Sequence, residues 1–213
     1  MFKVDLHVHT ALGGDSNIQP DMLAARAREV GLDAICVVEH HSYFLSEPLE
    51  EISRKEDFPI FRGFEYRALE GHVLVFGVKA GPEDIPSRLT MQWATNWVNN
   101  RGGLAIPAHP YQWGNGFPGD HVLKVKGLSA IETLNASVFL NGNQLALKAA
   151  ERLGLNGVAG SDAHGLAVLG RAYTQFETPF ESEAELLRAL MEGKYTPRWN
   201  DEFYQDDHKE HWI

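Results

Sequence analysis

Cysteine is nearly absent from this chain of 213 residues. The single one, Cys36, excludes an internal disulfide framework. It lies in the apolar run DAICVVEH, where a buried and inert thiol is expected. Long apolar runs are missing too, since none approaches the roughly 18 residues that a membrane-spanning helix needs. The N-terminus has neither the basic start nor the apolar core of a signal peptide, so a cytoplasmic location is the default expectation. Positive charge is scarce: 19 Lys and Arg stand against 29 Asp and Glu, a formal net charge of −10 with histidines neutral. That balance disfavours binding of extended nucleic acid through a broad basic surface. It leaves room for a small phosphorylated substrate, or a short oligonucleotide, held by metal ions. No P-loop and no G-x-S-x-G nucleophile elbow occurs. Linkers, internal repeats and low-complexity segments are also lacking. Histidine, with ten residues, is abundant.

Strand-like runs alternate with helix-like segments along the chain. FKVDLHV reads as the first strand, and PDMLAARAREVG as a helix with Pro20 near its start and Gly31 at its stop. DAICVVEH is a second strand and EPLEEISRKE a short charged helix. FPIFRGFEY and GHVLVFGV read as two more strands joined tightly at Ala68–Gly71. RLTMQWATNWVNNRGG is an amphipathic helix, LAIPAHP a strand and GDHVLKVKG a short helix. LSAIETLN and LNGVAGSDAH are strands that flank the helix NQLALKAAERLG. AYTQFET is a last strand, and SEAELLRALMEGK a last helix with Ser182 as its N-cap. The alternation predicts one α/β domain with a mostly parallel sheet, open or closed into a barrel.

In such folds ligand sites are built at the C-terminal ends of strands. Here those ends are unusually polar. VDLHVHT places His7 and His9 on one strand face, with Asp5 on the same face. Asp15 follows in the loop ALGGDS. The second strand ends in Glu39, His40 and His41, the third in Glu65, and LAIPAHP in His109. Asp162 and His164 in SDAH repeat the i, i+2 spacing. His72 follows Glu65 closely enough for a bend to return it to the same end. Helix capping alone would favour Ser, Thr, Asp and Asn and gives no reason for spaced histidine pairs. Imidazoles and carboxylates converging on one rim suit Zn, Mn or Fe, and exceed what one tetrahedral ion can use. His41 should point away from the rim. His121, His208 and His211 are expected to be solvent-facing or structural, and Trp93 and Trp97 to be core.

In order along the chain, DLHVHT, VVEHH, GFEY, GHVLVFG, AHP and GSDAH resemble the PHP family, named for polymerase and histidinol phosphatase. The resemblance implies a distorted (β/α)7 TIM-like barrel over residues 1–198, followed by a polar tail over 199–213. It implies a trinuclear site of divalent ions, whereas the nine ligand candidates by themselves fit two or three ions of Zn, Mn or Fe. One ion would take His7, His9, Glu65 and Asp162. A second would share Glu65 and add His72 and His109. A third would take Asp15, His40 and His164. The implied activity is hydrolysis of a small phosphomonoester or nucleotide by a metal-activated water held by His7, His9, Glu65 and Asp162. A stand-alone phosphoesterase is expected, with an exonuclease on short oligonucleotides or a non-enzymatic metal-binding regulatory module as the alternatives. Arg171 and Arg67 are candidates for holding phosphate oxygens. Tyr43, Tyr111 and Trp113 are expected to wall the substrate pocket, and Asp5 to orient a ligand histidine from behind.

Overall fold

The computed structural model describes residues 1–112 and 118–201. Its elements are β1 (Phe2–Val8), α1 (Leu23–Glu29), β2 (Ala34–Val37), α2 (Leu49–Glu56), β3 (Ile60–Arg62), β4 (Phe64–Arg67), β5 (His72–Phe76), α3 (Met91–Asn99), β6 (Leu104–Pro107), β7 (Ile131–Asn135), α4 (Leu140–Leu153), β8 (Gly157–Gly160), β9 (Ala172–Phe176), α5 (Glu183–Glu192) and β10 (Tyr195–Trp199). Short 3-10 turns add Pro20–Met22, Tyr43–Ser46 and Gly119–Lys124. The expected alternation of strands and helices is present. Ser182 caps α5 by accepting the Glu185 N–H, and α4 stops on Gly154 at φ 65°.

The strands do not close into one hydrogen-bonded barrel. Among the described residues they form three sheets, ordered β10-β9-β1-β2-β3, β4-β5-β6 and β7-β8. Nor is the pairing mostly parallel. β1-β2-β3 and β7-β8 are parallel, whereas β4-β5-β6 and the pairs of β9 with β1 and β10 are antiparallel. The reason is local. β5 and β9 each follow the preceding strand with no helix between them, and parallel neighbours need a crossover of about a dozen residues or more. The run FPIFRGFEY, expected as one strand, breaks at Gly63. A Cβ there would stand 2.5 Å from the Val75 carbonyl oxygen and 2.9 Å from the Phe76 ring. β3 therefore ends in the first sheet and β4 begins the second.

Two single bridges draw the sheet ends together. Val8 pairs with Ala163, and His40 pairs with Glu65, both in parallel. β1 sits between β9 and β2, with its register irregular between Asp5 and Val8. Leu6 and Val8 consequently reach different core clusters. Leu6 packs with Phe61, Leu74, Ile106, Val158, Phe176 and Leu186. Val8 packs with Ile35, Val37 and the buried face of α1. Cys36 is buried, as expected. Trp93 is not core: it is 41% exposed and lies nearly parallel to the half-buried Trp97. The buried stripe of α3 is Met91, Ala94, Thr95 and Val98, which leaves 93 and 97 on its flank.

β10 went unread in the sequence because Pro197 interrupts it. Among the described residues it pairs only with β9, which makes it an edge strand, where a proline is tolerated. The ordered fold also passes the expected boundary at 198. Trp199 completes β10, and the buried Asn200 donates to the carbonyls of Val30 and Gly170 at 2.9 and 3.0 Å. Residues 202–213, with His208 and His211, lie outside the described residues. No helix among the described residues is long and apolar enough to cross a membrane.

Asp5 locks this arrangement. Its Oδ1 accepts from the main-chain N–H of Ser161 at 2.8 Å and of His7 at 3.2 Å, and its Oδ2 from that of Gly170 at 3.0 Å. Burial outweighs those bonds and pushes the carboxyl up to about 6. Asp5→Ala leaves three buried donors without this acceptor. It should destabilise the chain by about 2–4 kcal/mol, read as a lower urea midpoint at unchanged m-value. An unchanged midpoint would remove Asp5 from this role.

Candidate metal centre

The polar strand ends meet. His7 and His9 leave β1, His40 follows β2, Glu65 lies on β4, His72 opens β5, and His109 follows β6. Asp162 and His164 follow β8, and Asp15 comes from the loop after β1. The backbone turns sharply to deliver two of these side chains. His109 and Asp162 have φ of 31° and 53°, values that non-glycine residues adopt reluctantly and that cluster at functional sites. Gly160 lets β8 come up against β1, since a Cβ at 160 would collide with the Cβ of His7.

Glu65 is the hub. Its Oε1 lies 2.9 Å from His72 Nδ1, 3.1 Å from His109 Nε2 and 3.7 Å from His7 Nε2. Its Oε2 lies 3.0 Å from His40 Nδ1 and 3.4 Å from His9 Nε2. Asp162 Oδ1 is 3.4 and 3.5 Å from the Nε2 atoms of His7 and His9, which are themselves 3.1 Å apart. Asp15 Oδ2 is 3.0 Å from His40 Nε2 and 3.6 Å from His164 Nε2. All nine residues expected at the rim are thus in one cluster.

Their grouping is more interleaved than the three-way division the resemblance implies. Donor atoms within 4.8 Å of one another are offered by His9, Asp15, His40 and His164; by His7, His109 and Asp162; by His7, His9 and Glu65; and by His40, Glu65 and His72. His9 joins the Asp15 group, and His109 groups with His7 and Asp162. His41 stands apart. With φ 65° it turns off the strand, and its ring centre is 6.0 Å from that of His40.

The electrostatics follow from burying these groups together. Burial alone would raise the Glu65 carboxyl, but His7 and His72, with hydrogen bonds from His109 and His40, hold it well below the usual range. Asp162 is held low against the same burial penalty, chiefly by His7, His9 and His109. His7, His40 and His109 are raised despite burial because carboxylates face them. His9 is lowered, with burial the largest cause. Burial likewise pushes Glu39 up to about 7.

The residues fit divalent cations. Two imidazole Nε2 atoms face each other at 3.1 Å beside two buried carboxylates. His9 Nδ1 and Glu39 Oε2, both buried, have no hydrogen-bond partner among the described residues. This mixture of imidazole nitrogen and carboxylate oxygen is the donor set of Zn, Mn and Fe.

Sequence reading missed what stands behind the histidines. Asp5 reaches the main-chain N–H of His7 and not a histidine ring. The ring is held by Glu132 on β7, whose Oε1 is 2.9 Å from His7 Nδ1. Glu132 Oε2 also accepts from the His109 N–H at 2.7 Å and from Asn135 Nδ2 at 3.0 Å. A glutamate inside the apolar strand AIETLN was the available signal, because an unpaired charge is rarely buried.

Tyr43 does not wall the site. It is 3% exposed in the core, and its hydroxyl donates to Glu183. The Tyr111 hydroxyl donates to Asp120 at 2.9 Å, and Trp113 lies outside the described residues. His121 is 3.2 Å from Glu70, away from the cluster. Arg67 is exposed on β4, paired in register with His72 and on the strand face of Glu65. Arg171 is half-buried, and its Nε donates to the Ala167 carbonyl at 3.0 Å.

Comparison with known proteins bears on the fold. A family model described as PHP-associated matches residues 141–195. A two-domain protein from Bacteroides vulgatus, containing a predicted PHP-like metal-dependent phosphoesterase, superimposes with a TM-score of 0.72 at 18% identity. The match covers 94% of this chain and 65% of that one. The chain has a PHP-like fold. A lesion-specific endonuclease from Pyrococcus furiosus shares this PHP-like fold, with a TM-score of 0.66 at 16% identity over 92% of this chain and 57% of that one. An uncharacterised protein of Methanocaldococcus jannaschii is 25% identical over 144 residues, which are 63% of this chain and 82% of that one.

Metal loading of this cluster should displace protons. His7, His40 and His109 are held above the ordinary histidine value by the carboxylates facing them, so in the metal-free chain they bind a proton more tightly than a free imidazole does. A ligand imidazole must give its proton up. Titration of the chain with Zn2+ at pH 7 should therefore release protons, seen as a binding heat that varies with the ionisation enthalpy of the buffer. Affinity should rise with pH. Heats independent of buffer would contradict the assignment.

Proposed function

We propose that this chain is a metal-dependent phosphoesterase that hydrolyses a small phosphomonoester or a nucleotide. The observation that carries the reading is the cluster around Glu65, where nine nitrogen and oxygen ligand side chains converge. A structural metal site needs about four ligands and keeps no open position. Nine candidates suit two or three ions of Zn, Mn or Fe, and weigh against a purely regulatory module. His7, His9, Glu65, His109 and Asp162 would hold the buried ions, with His72 beside Glu65. Asp15, His40 and His164 would hold an ion nearer solvent, as their greater exposure suggests. Bound divalent ions supply a water of lowered pKa and stabilise negative charge on phosphoryl oxygens.

The chain's own groups do the rest. Glu65 and Asp162 stay anionic at neutral pH and keep the cluster ready for cations. Glu132 holds His7 through Nδ1 and leaves Nε2 facing the cluster. Arg67 stands at the exposed edge, opposite His72, and would hold a phosphoryl oxygen of the substrate. Arg171 is a second candidate, its guanidinium oriented by the Ala167 carbonyl. A second reading is an exonuclease on short oligonucleotides; the Pyrococcus furiosus protein of like fold is an endonuclease, which supports phosphodiester cleavage on this fold and not an exonuclease in particular.

Metal analysis coupled to a hydrolysis screen tests both readings. The substrates would be nucleotides, sugar phosphates, histidinol phosphate and short oligonucleotides, each with added Mn, Zn or Fe. Release of phosphate from one small-molecule class, well above the others, is the expected result. Asp162→Ala should lose bound metal and lower kcat/KM by about 10³-fold, equivalent to several kcal/mol of barrier. Arg67→Ala should raise KM about tenfold with little change in kcat. Full activity of Asp162→Ala after loss of its metal would defeat the proposal.

A further inference from the structure

Glu39 is fully buried and sits one residue before His40. Its Oε1 accepts from the Thr10 main-chain N–H at 3.1 Å and from the Thr10 hydroxyl. Its Oε2 has no partner among the described residues, and neither does His9 Nδ1. These two atoms face each other at 3.9 Å, too far for a hydrogen bond. A helix-capping role does not account for the carboxylate, because the turn that follows is capped by the Ser42 side chain. Leaving a buried carboxylate oxygen and a buried ring nitrogen unsatisfied is unfavourable. The neighbourhood nonetheless preserves the gap. A Cβ at Gly13 would collide with Glu39 Oε2, so a glycine there leaves room for that oxygen.

His7 shows the completed form of the same arrangement. Its Nδ1 is 2.9 Å from Glu132 Oε1, and its Nε2 faces the cluster. His9 presents its Nε2 to the same point, 3.4 Å from Glu65 Oε2. We propose that Glu39 is the positioning residue of His9, accepting its Nδ1–H through Oε2 when the cluster holds a divalent cation and so committing Nε2 as the ligand. The inference rests on the metal-centre reading above. It makes the H-x-H pair a doubly braced unit, with Glu132 behind one ring and Glu39 behind the other. A carboxylate behind a ligand imidazole fixes its tautomer and raises its basicity, and losing such a partner lowers metal affinity by about 10–100-fold.

The test uses the full chain with histidine labelled in 15N, titrated with Zn2+ and followed by long-range proton–nitrogen NMR. Zinc should bring out a slowly exchanging His9 Nδ1–H in the wild type. Glu39→Leu removes the acceptor, so that proton should exchange with water too fast to be seen, and zinc should bind about 10–100-fold more weakly. Glu39→Asp keeps the charge but withdraws it from His9 by one methylene, so it should weaken zinc binding in the same direction. This variant decides the matter if Glu39→Leu does not fold. Zinc affinity within twofold of wild type in the folded variants, or a His9 Nδ1–H still protected from exchange in Glu39→Leu, would overturn the role of Glu39 alone. A wild-type chain that binds no divalent metal would overturn the metal-centre reading and this inference with it.

Discussion

A carboxylate withdrawn from water keeps its charge only where positive or hydrogen-donating groups replace the solvent. Glu65, 1% exposed, meets that condition through imidazoles supplied by β1, by the end of β2, by β5 and by the end of β6. Each of those segments has to approach the same few ångströms of space. The bridges Val8–Ala163 and His40–Glu65 and the missing Cβ of Gly160 are the local means by which they do so. The three sheets can diverge elsewhere because their ends are held together here.

The same arrangement explains the division between interior and rim. Apolar side chains fill the space between the strands and behind the helices, while the carboxylates and histidines gather at one end. Two of the bracing groups, Asp5 and Glu132, are enclosed as fully as the ligand candidates His7, His9 and Glu65. Asp5 binds main chain from three places and fixes the frame. Glu132 binds a ring, a main-chain N–H and the Asn135 amide, and fixes the orientation of what the frame carries.

Much of this was legible in the sequence, and the parts that were not have physical reasons. The H-x-H of β1, its echo in SDAH and the glutamate of GFEY are short-range patterns, and the structure brings them together. Strand direction is not a short-range property: HVLVF reads the same whether it runs with or against its neighbour, and only the brevity of Ala68–Gly71 hinted at a hairpin. β10 was hidden by Pro197, which is unremarkable on an edge strand but argues against a central one. Tyr43 follows His41 closely in sequence, yet its neighbours in space are Glu183 and Arg62, brought from distant elements. Glu132 stood in plain view, but a reading confined to strand ends passed over the middle of a strand.

The order of the strands in the first sheet has a consequence for how the chain matures. β1 precedes the other described strands, yet one of its two neighbours, β9, comes from residues 172–176. The last of the clustered side chains, His164, is likewise separated from His7 by most of the chain. Contacts of such long range form late, because loop closure must precede any reward from pairing. A segment that stops short of β8 thus carries the groups of His7, His9 and Glu65 and of His40, Glu65 and His72, but neither Asp162 nor His164. The complete cluster waits on the docking of strands far apart in the chain, and an early segment meets ions with only part of its final ligand set.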